Sequence, residues 1–169
     1  MTDQSTPENT EAAESKAQPQ FSTQRIYVKD LSFEAPNNIV PTGAWKPKIS
    51  QDLNTSVNRV GEDLFEVVLN ITVTVSVDED KTAFLVEVHQ AGLFVVKGLE
   101  GPKLQHLLSS QCPHILFPYA REAIDNLVIR GGFPPLMLPP INFDALYAQA
   151  LAEARKQQEQ NASEQGSAH

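Results

Sequence analysis

Strict alternation of apolar and polar residues is the strongest signal along the chain. From Glu66 to Val77, the residues Val67, Leu69, Ile71, Val73, Val75 and Val77 fall on one side of an extended backbone. Glu66, Val68, Asn70, Thr72, Thr74 and Ser76 fall on the other, which predicts a strand with one dry and one mostly wet face. Asp78-Glu79-Asp80-Lys81 predicts a polar turn, and Thr82 to Val96 its hairpin partner. There Phe84, Val86, Val88, Gln90, Gly92 and Phe94 share one face, and Leu85, Glu87, His89, Ala91 and Leu93 the other. An earlier strand is expected over Arg25 to Glu34 and a weaker one over Ile49 to Asn58. Four antiparallel strands joined in order are the simplest arrangement.

After Gly98 the period changes to that of a helix. Pro102 can start a short helix carrying Leu104, Leu107 and Leu108, with Cys112-Pro113 expected to interrupt it. A second helix is expected from about Pro118 to Arg130, with Ala120, Ile124, Leu127 and Val128 on one stripe and Gly131-Gly132 as its stop. After the linker FPPLMLPP, Asn142 is a good N-cap for a third helix whose Phe143, Leu146, Tyr147, Ala150 and Leu151 repeat at helical spacing. Strands first and helices afterwards predict an α+β domain, with the helices on the dry face of the sheet. Those helices carry more apolar surface than one sheet face covers, which favours an oligomer.

Composition bounds this core at both ends. Residues 1–20 offer only Met1 and three alanines as apolar side chains, too little to offset chain entropy, so a disordered tail is expected there. A second polar tail is expected over 156–169, which leaves 21–155 as one domain. The first residues lack the basic and apolar regions of a secretory signal. No apolar run reaches the length of a membrane span, so no direct membrane insertion is expected. The net charge of -8 disfavours nucleic acid and favours basic partners. The single cysteine, Cys112, suits a reducing cytoplasm.

The search for catalytic chemistry finds little. Of the four histidines, none lies in a zinc-protease motif, and Cys112-Pro113-His114 provides one thiol where a zinc site wants four paired ligands. GLEGPK (98–103) lacks the glycine loop and Lys-Ser/Thr pair of a phosphate cradle. No nucleophile elbow is present. The expectation is therefore no enzyme, no cofactor, no metal and no catalytic residue. Asp30 and Glu34 share a face with Ser32, and Glu87 lies on the outer face between Leu85 and His89. Read alone, these carboxylates are either a solvated sheet face or a partner surface. Trp45, Ile49, Leu53, Phe94, Phe117, Tyr147 and Leu151 are open in the same way between core, subunit contact and ligand groove.

Four segments carry a resemblance: FSTQRIYVKDLSFEAP (21–36), TAFLVEVHQAGLF (82–94), CPHILFPYARE (112–122) and RGGFPPLMLPPINFDAL (130–146). In order and spacing they closely resemble SecB, the bacterial export chaperone family, over about Phe21 to Leu151. The resemblance implies a four-stranded antiparallel sheet with helices on one face and a homotetramer built as a dimer of dimers. It implies an ATP-independent chaperone that binds unfolded precursor polypeptides and delivers them to the SecA motor of the Sec pathway. By matching position, the SecA-binding residues are Asp30, Glu34, Leu85 and Glu87. The client-peptide groove is Trp45, Ile49, Leu53, Tyr147 and Leu151, and the tetramer interface is Val86, Val88 and Gln90. A chaperone of the same fold dedicated to another client, such as a toxin, is the alternative.

Overall fold

The computed structural model describes residues 18–43, 45–78 and 81–166. Nearly all of the expected N-terminal tail, and Glu79 and Asp80 of the expected turn, lie outside the described residues. The strands are β1 (Gln20–Glu34), β2 (Lys48–Arg59), β3 (Leu64–Asp78) and β4 (Lys81–Lys97). Each contains its expected segment and runs beyond it.

All neighbouring strands are antiparallel, but their order is β1-β4-β3-β2, not the sequential order expected. β2, β3 and β4 form a meander. The 35–47 connection carries the chain from β1 across to the far edge, a Greek-key path. The reason lies in the strands' composition. β3 and β4 bury most of their side chains and take the centre, while β2, with Gln51, Asp52, Asn54, Ser56 and Asn58, suits an edge.

One irregularity in β1 decides which residues reach which side. Tyr27 pairs with Ala91 and Val28 with Gln90, but Asp30 then pairs with His89, leaving Lys29 as an extra residue. Such a bulge reverses the alternation beyond it. Ile26 and Val28 therefore share the helix side with Leu31 and Phe33, while Arg25 and Tyr27 share the open side with Asp30, Ser32 and Glu34. Gln90, 2% exposed, donates from Nε2 to the Tyr27 carbonyl at 2.9 Å, so a buried polar side chain fastens the backbone at the bulge.

The helix side is dry. Val67, Leu69, Ile71, Val73 and Val75 of β3, and Phe84, Val86, Val88 and Phe94 of β4, pack under helix α2 (Cys112–Arg130). α2 contributes Cys112, Leu116, Ala120, Ile124 and Val128. Each large side chain fully buried there stabilises by about 1.5–3 kcal/mol. Gly92 permits a close approach of sheet and helix: a Cβ there would meet the Phe94 ring at 2.6 Å and Leu116 at 2.9 Å.

The expected break at Cys112-Pro113 is absent. Helix α1 (Gly101–His106) passes through a π-helical turn, Leu107–Gln111, directly into α2. Pro113 sits in the first turn of α2, where its missing N–H is tolerated, and Pro118 lies inside the helix. α2 stops as expected. Gly132 takes φ 83°, its N–H reaches the Ile129 carbonyl at 3.0 Å, and Phe133 N–H reaches Val128 at 3.1 Å. Helix α3 (Phe143–Gly166) starts at the expected cap, with Ala145 N–H donating to Asn142 Oδ1 at 3.0 Å. It continues through residues assigned by composition to a tail. Ala, Glu, Gln and Lys are strong helix formers that need no packing partner, and residues 152–160 are exposed throughout.

Candidate functional site

Two regions could meet another molecule, and they lie on opposite sides of the sheet. On the open side the register sets residues in rows across all four strands. One row is Ser50, Thr74, Leu85 and Glu34; the next is Asp52, Thr72, Glu87 and Ser32; the third is Asn54, Asn70, His89 and Asp30. Asp30, Glu34, Leu85 and Glu87 thus occupy three adjacent rows on the neighbouring strands β1 and β4. Asp52 carries the acidic surface to the β2 edge, and alternation alone did not single it out. Glu87 Oε1 lies 2.7 Å from His89 Nε2.

Beyond these rows the open side changes character. Glu66, only 9% exposed, accepts from Lys29 Nζ at 2.8 Å, from the Tyr27 hydroxyl, and from Asn58 Nδ2 at 3.3 Å. Tyr27 reaches it over Ala91, whose small side chain leaves room on β4. Lys29, then Tyr27 and Asn58, hold the Glu66 carboxyl below its usual range. The same bond, helped by burial, pushes the Tyr27 hydroxyl up. This cluster is structural, because its acceptor is already occupied by three donors. Sequence reading placed Glu66 on a wet face; only the bulge at Lys29 and the reach of Tyr27 bury it.

The second region is a cleft of 510 Å³ between β2 and α3, lined by Leu53, Thr55, Phe143, Leu146, Tyr147 and Leu151 among others. Three of the five expected groove residues, Leu53, Tyr147 and Leu151, meet here. Ile49 and Gln51 lie farther along β2 on the same side as Leu53, with Ile49 47% exposed. Trp45 does not reach the cleft. It packs on Phe133 at 5.9 Å between ring centroids, and Phe133 in turn packs on Phe84 at 4.7 Å. Trp45 is therefore part core.

Val86, Val88 and Gln90 are covered by the chain's own helix side, at 0%, 0% and 2% exposure. They have no surface for a second subunit to touch, so any influence on assembly runs through the helix layer they seat.

At the start of α3, Asp144 Oδ1 accepts from Ser110 Oγ at 2.5 Å and lies 2.8 Å from His106 Nε2. Ser110 and then His106 hold its carboxyl below the usual range. Serine and histidine both engage the acid and not each other, so no imidazole faces the hydroxyl, and the only base that does is a carboxylate held below its usual range; the trio is a clasp, not a nucleophile. Burial pushes the Cys112 thiol up to about 12, which disfavours the thiolate that a metal or a nucleophile requires. Among the described residues no group of three or more potential ligands could hold a metal ion. No described helix is long and apolar enough to cross a membrane.

Residues 14–154 match the family described as Preprotein translocase subunit SecB. A protein of Marinobacter nauticus named Protein-export protein SecB is 57% identical over 155 residues, covering 90% of this chain and 92% of that one. One of the same name from Saccharophagus degradans is 57% identical over 148 residues, covering 85% and 86%. A Pseudomonas aeruginosa relative of that name is 55% identical over 148 residues, covering 87% and 91%. Among solved structures, a SecB-like chaperone of Mycobacterium tuberculosis, in complex with a ChAD peptide from an antitoxin, superposes with a TM-score of 0.61. It is 16% identical, covers 72% of this chain and 90% of that one, and supports the fold.

Proposed function

The chain belongs to the SecB family of protein-export chaperones, and from that premise we propose that it holds unfolded precursors in the β2–α3 cleft and passes them to the SecA motor through the open side of its sheet. The observation that carries this reading is the division between the two sides. A cleft of mixed, mostly apolar lining lies at one edge of the helix side, and Asp30, Glu34, Leu85 and Glu87 cluster on the other. Client and motor can then be held together without competing for one surface.

Leu53, Leu146, Tyr147 and Leu151 bind apolar segments that folded proteins bury, with a yield of about 25 cal/mol per Å² removed from water. Several such weak sites engaged by one chain raise avidity through effective concentration, so little sequence specificity is needed. Ile49 extends the path along β2. The motor contact is electrostatic, which favours rapid encounter and salt-sensitive affinity. Release needs no nucleotide in this scheme, and the protein turns over no substrate and holds no cofactor. The setting is the cytoplasm.

The working unit is a homotetramer, a dimer of dimers of the domain over 21–155. Uncovered apolar side chains support this: Val28 and Leu31 on the helix side of edge strand β1 are 47% and 41% exposed, and Tyr119 and Ile129 on α2 are exposed as well. Identity of 57% to proteins named for export favours export over a dedicated toxin client.

The test is a light-scattering assay of a denatured precursor diluted into the chaperone, with mass measured on the same sample. The reading expects suppressed aggregation by a tetramer, and suppression lost in Tyr147→Ala/Leu151→Ala with the tetramer intact. A wild-type monomer, or full suppression by the double variant, would contradict it.

A further inference from the structure

The linker from α2 to α3 is stiff on both sides of its middle. Pro134-Pro135 and Pro139-Pro140 fix their own φ angles, and Pro139 confines Leu138 to extended backbone, so the turn between the two pairs falls to Leu136 and Met137. Met137 makes it at φ 52°, the only positive φ among the described residues that is not a glycine's. Packing does not hold it there, because Met137 is 64% exposed. A side chain of α2 does. Asp125 Oδ1 accepts from the Leu136 N–H at 2.9 Å and from the Met137 N–H at 3.2 Å. We propose that Asp125 is a positioning residue of the client cleft: by gathering these two N–H groups it holds Met137 in the left-handed region and so fixes where helix α3 begins. This inference rests on the cleft reading above and adds the residue that sets its geometry.

The path from Met137 to the cleft is short. Leu138 follows, 2% exposed, then Pro139-Pro140, Ile141 and the Asn142 cap of α3. Prolines in extended backbone act as a semi-rigid spacer, so a change of direction at Met137 passes on to Phe143 instead of being absorbed. Phe143 is buried, with its ring 5.9 Å from that of Phe117 on α2. From this seat α3 presents Leu146, Tyr147 and Leu151 to the cleft that Leu53 also lines. A non-glycine residue at positive φ is costly and persists where surrounding contacts over-determine it. Two backbone N–H groups converging on one carboxylate oxygen are such contacts. A glycine needs no such help, because it adopts positive φ at no steric cost. That difference separates positioning from the mere satisfaction of two N–H groups: in the second case a glycine at 137 cannot stand in for Asp125.

The experiment follows the fluorescence anisotropy of dye-labelled pancreatic trypsin inhibitor, reduced and carbamidomethylated so that it stays unfolded, as the full-length chain is titrated into it. Thermal midpoint and mass are read on the same samples. Asp125→Ala should capture the probe about three- to tenfold more weakly than wild type, a usual size for coupling within one hydrogen-bonded group. Asp125→Asn keeps an acceptor at Oδ1 and should stay within about twofold of wild type. Met137→Gly should capture as wild type does, and Asp125→Ala/Met137→Gly should recover most of the loss, because glycine holds positive φ unaided. If Asp125→Ala does not fold, Met137→Val asks the same question with the carboxylate in place. A β-branched residue resists positive φ, so capture should fall in Met137→Val and persist in Met137→Gly. Undiminished capture by Asp125→Ala or Met137→Val, or a loss in Asp125→Ala that Met137→Gly does not recover, would overturn the inference alone, with capture present in wild type and lost in Tyr147→Ala/Leu151→Ala. Capture absent in wild type, or undiminished in Tyr147→Ala/Leu151→Ala, would overturn the cleft reading and the inference with it.

Discussion

The two sides of one sheet are built from the same strands, in alternate residues, and they differ in what they tolerate. On the helix side Val67, Ile71, Val86 and Val88 have no exposure, so every atom is part of a packed layer. On the open side Glu87 and His89 are partly exposed, and their contact is replaceable. Structure depends on the first side, and in the proposed reading partner choice depends on the second. The exception is instructive: Glu66 stands on the open side yet is buried among three donors, so it behaves as a core residue.

The largest effect should come from the helix side. Val88→Asp would leave an unpaired charge with no route to water, at a cost of about 3–5 kcal/mol. Urea denaturation should show a protein at or below the limit of folding, with loss of assembly following from loss of the helix layer. A well-folded dimer would instead mean that Val88 lies at a subunit contact.

Next comes the buried acid of the open side. Glu66→Ala strands the Tyr27 hydroxyl and Lys29, and should destabilise by about 1–3 kcal/mol. Glu66→Gln gives the pH signature. The folded carboxyl titrates below its ordinary value near 4.3, so its contribution is full above that value and lost as pH falls through the lowered one. Stability of wild type should therefore drop more steeply on acidification than that of Glu66→Gln. Equal slopes would place Glu66 among the solvated residues.

Smaller still, in stability, is the cleft. Tyr147→Ala and Leu151→Ala should shift the urea midpoint little, because neither side chain is in the buried layer. Client capture should nevertheless weaken. Trp45→Ala belongs to the core by comparison: it removes a ring packed on Phe133, so its loss of stability should exceed theirs.

These contrasts also mark what the sequence makes legible. Period-2 alternation is a local property, and it places Val67 to Val75 and Phe84 to Phe94 on their observed side without further information. Strand order is not local. Nothing between Glu34 and Lys48 states that the chain will cross the sheet and leave β1 beside β4. The bulge at Lys29 is faintly legible, because the apolar positions Ile26 and Val28 shift to Leu31 and Phe33. Pro113 misleads because one residue suits both a helix break and a first turn, and the π-helical turn before it decides which. The docking residues and the groove came from family resemblance. The structure adds that Leu53, Tyr147 and Leu151 meet in one cleft while Trp45 stands apart.

The separation of the two sides is tested most directly by Glu87→Lys, with SecA affinity, client capture and thermal midpoint measured on the same preparation. Charge reversal on a partly exposed strand residue should change stability by no more than about 0.5 kcal/mol. The account predicts that SecA affinity falls at least about tenfold, since repulsion replaces attraction, while client capture and the tetramer persist. Unchanged SecA affinity in an intact tetramer would contradict it and return the carboxylates of the open side to ordinary solvation.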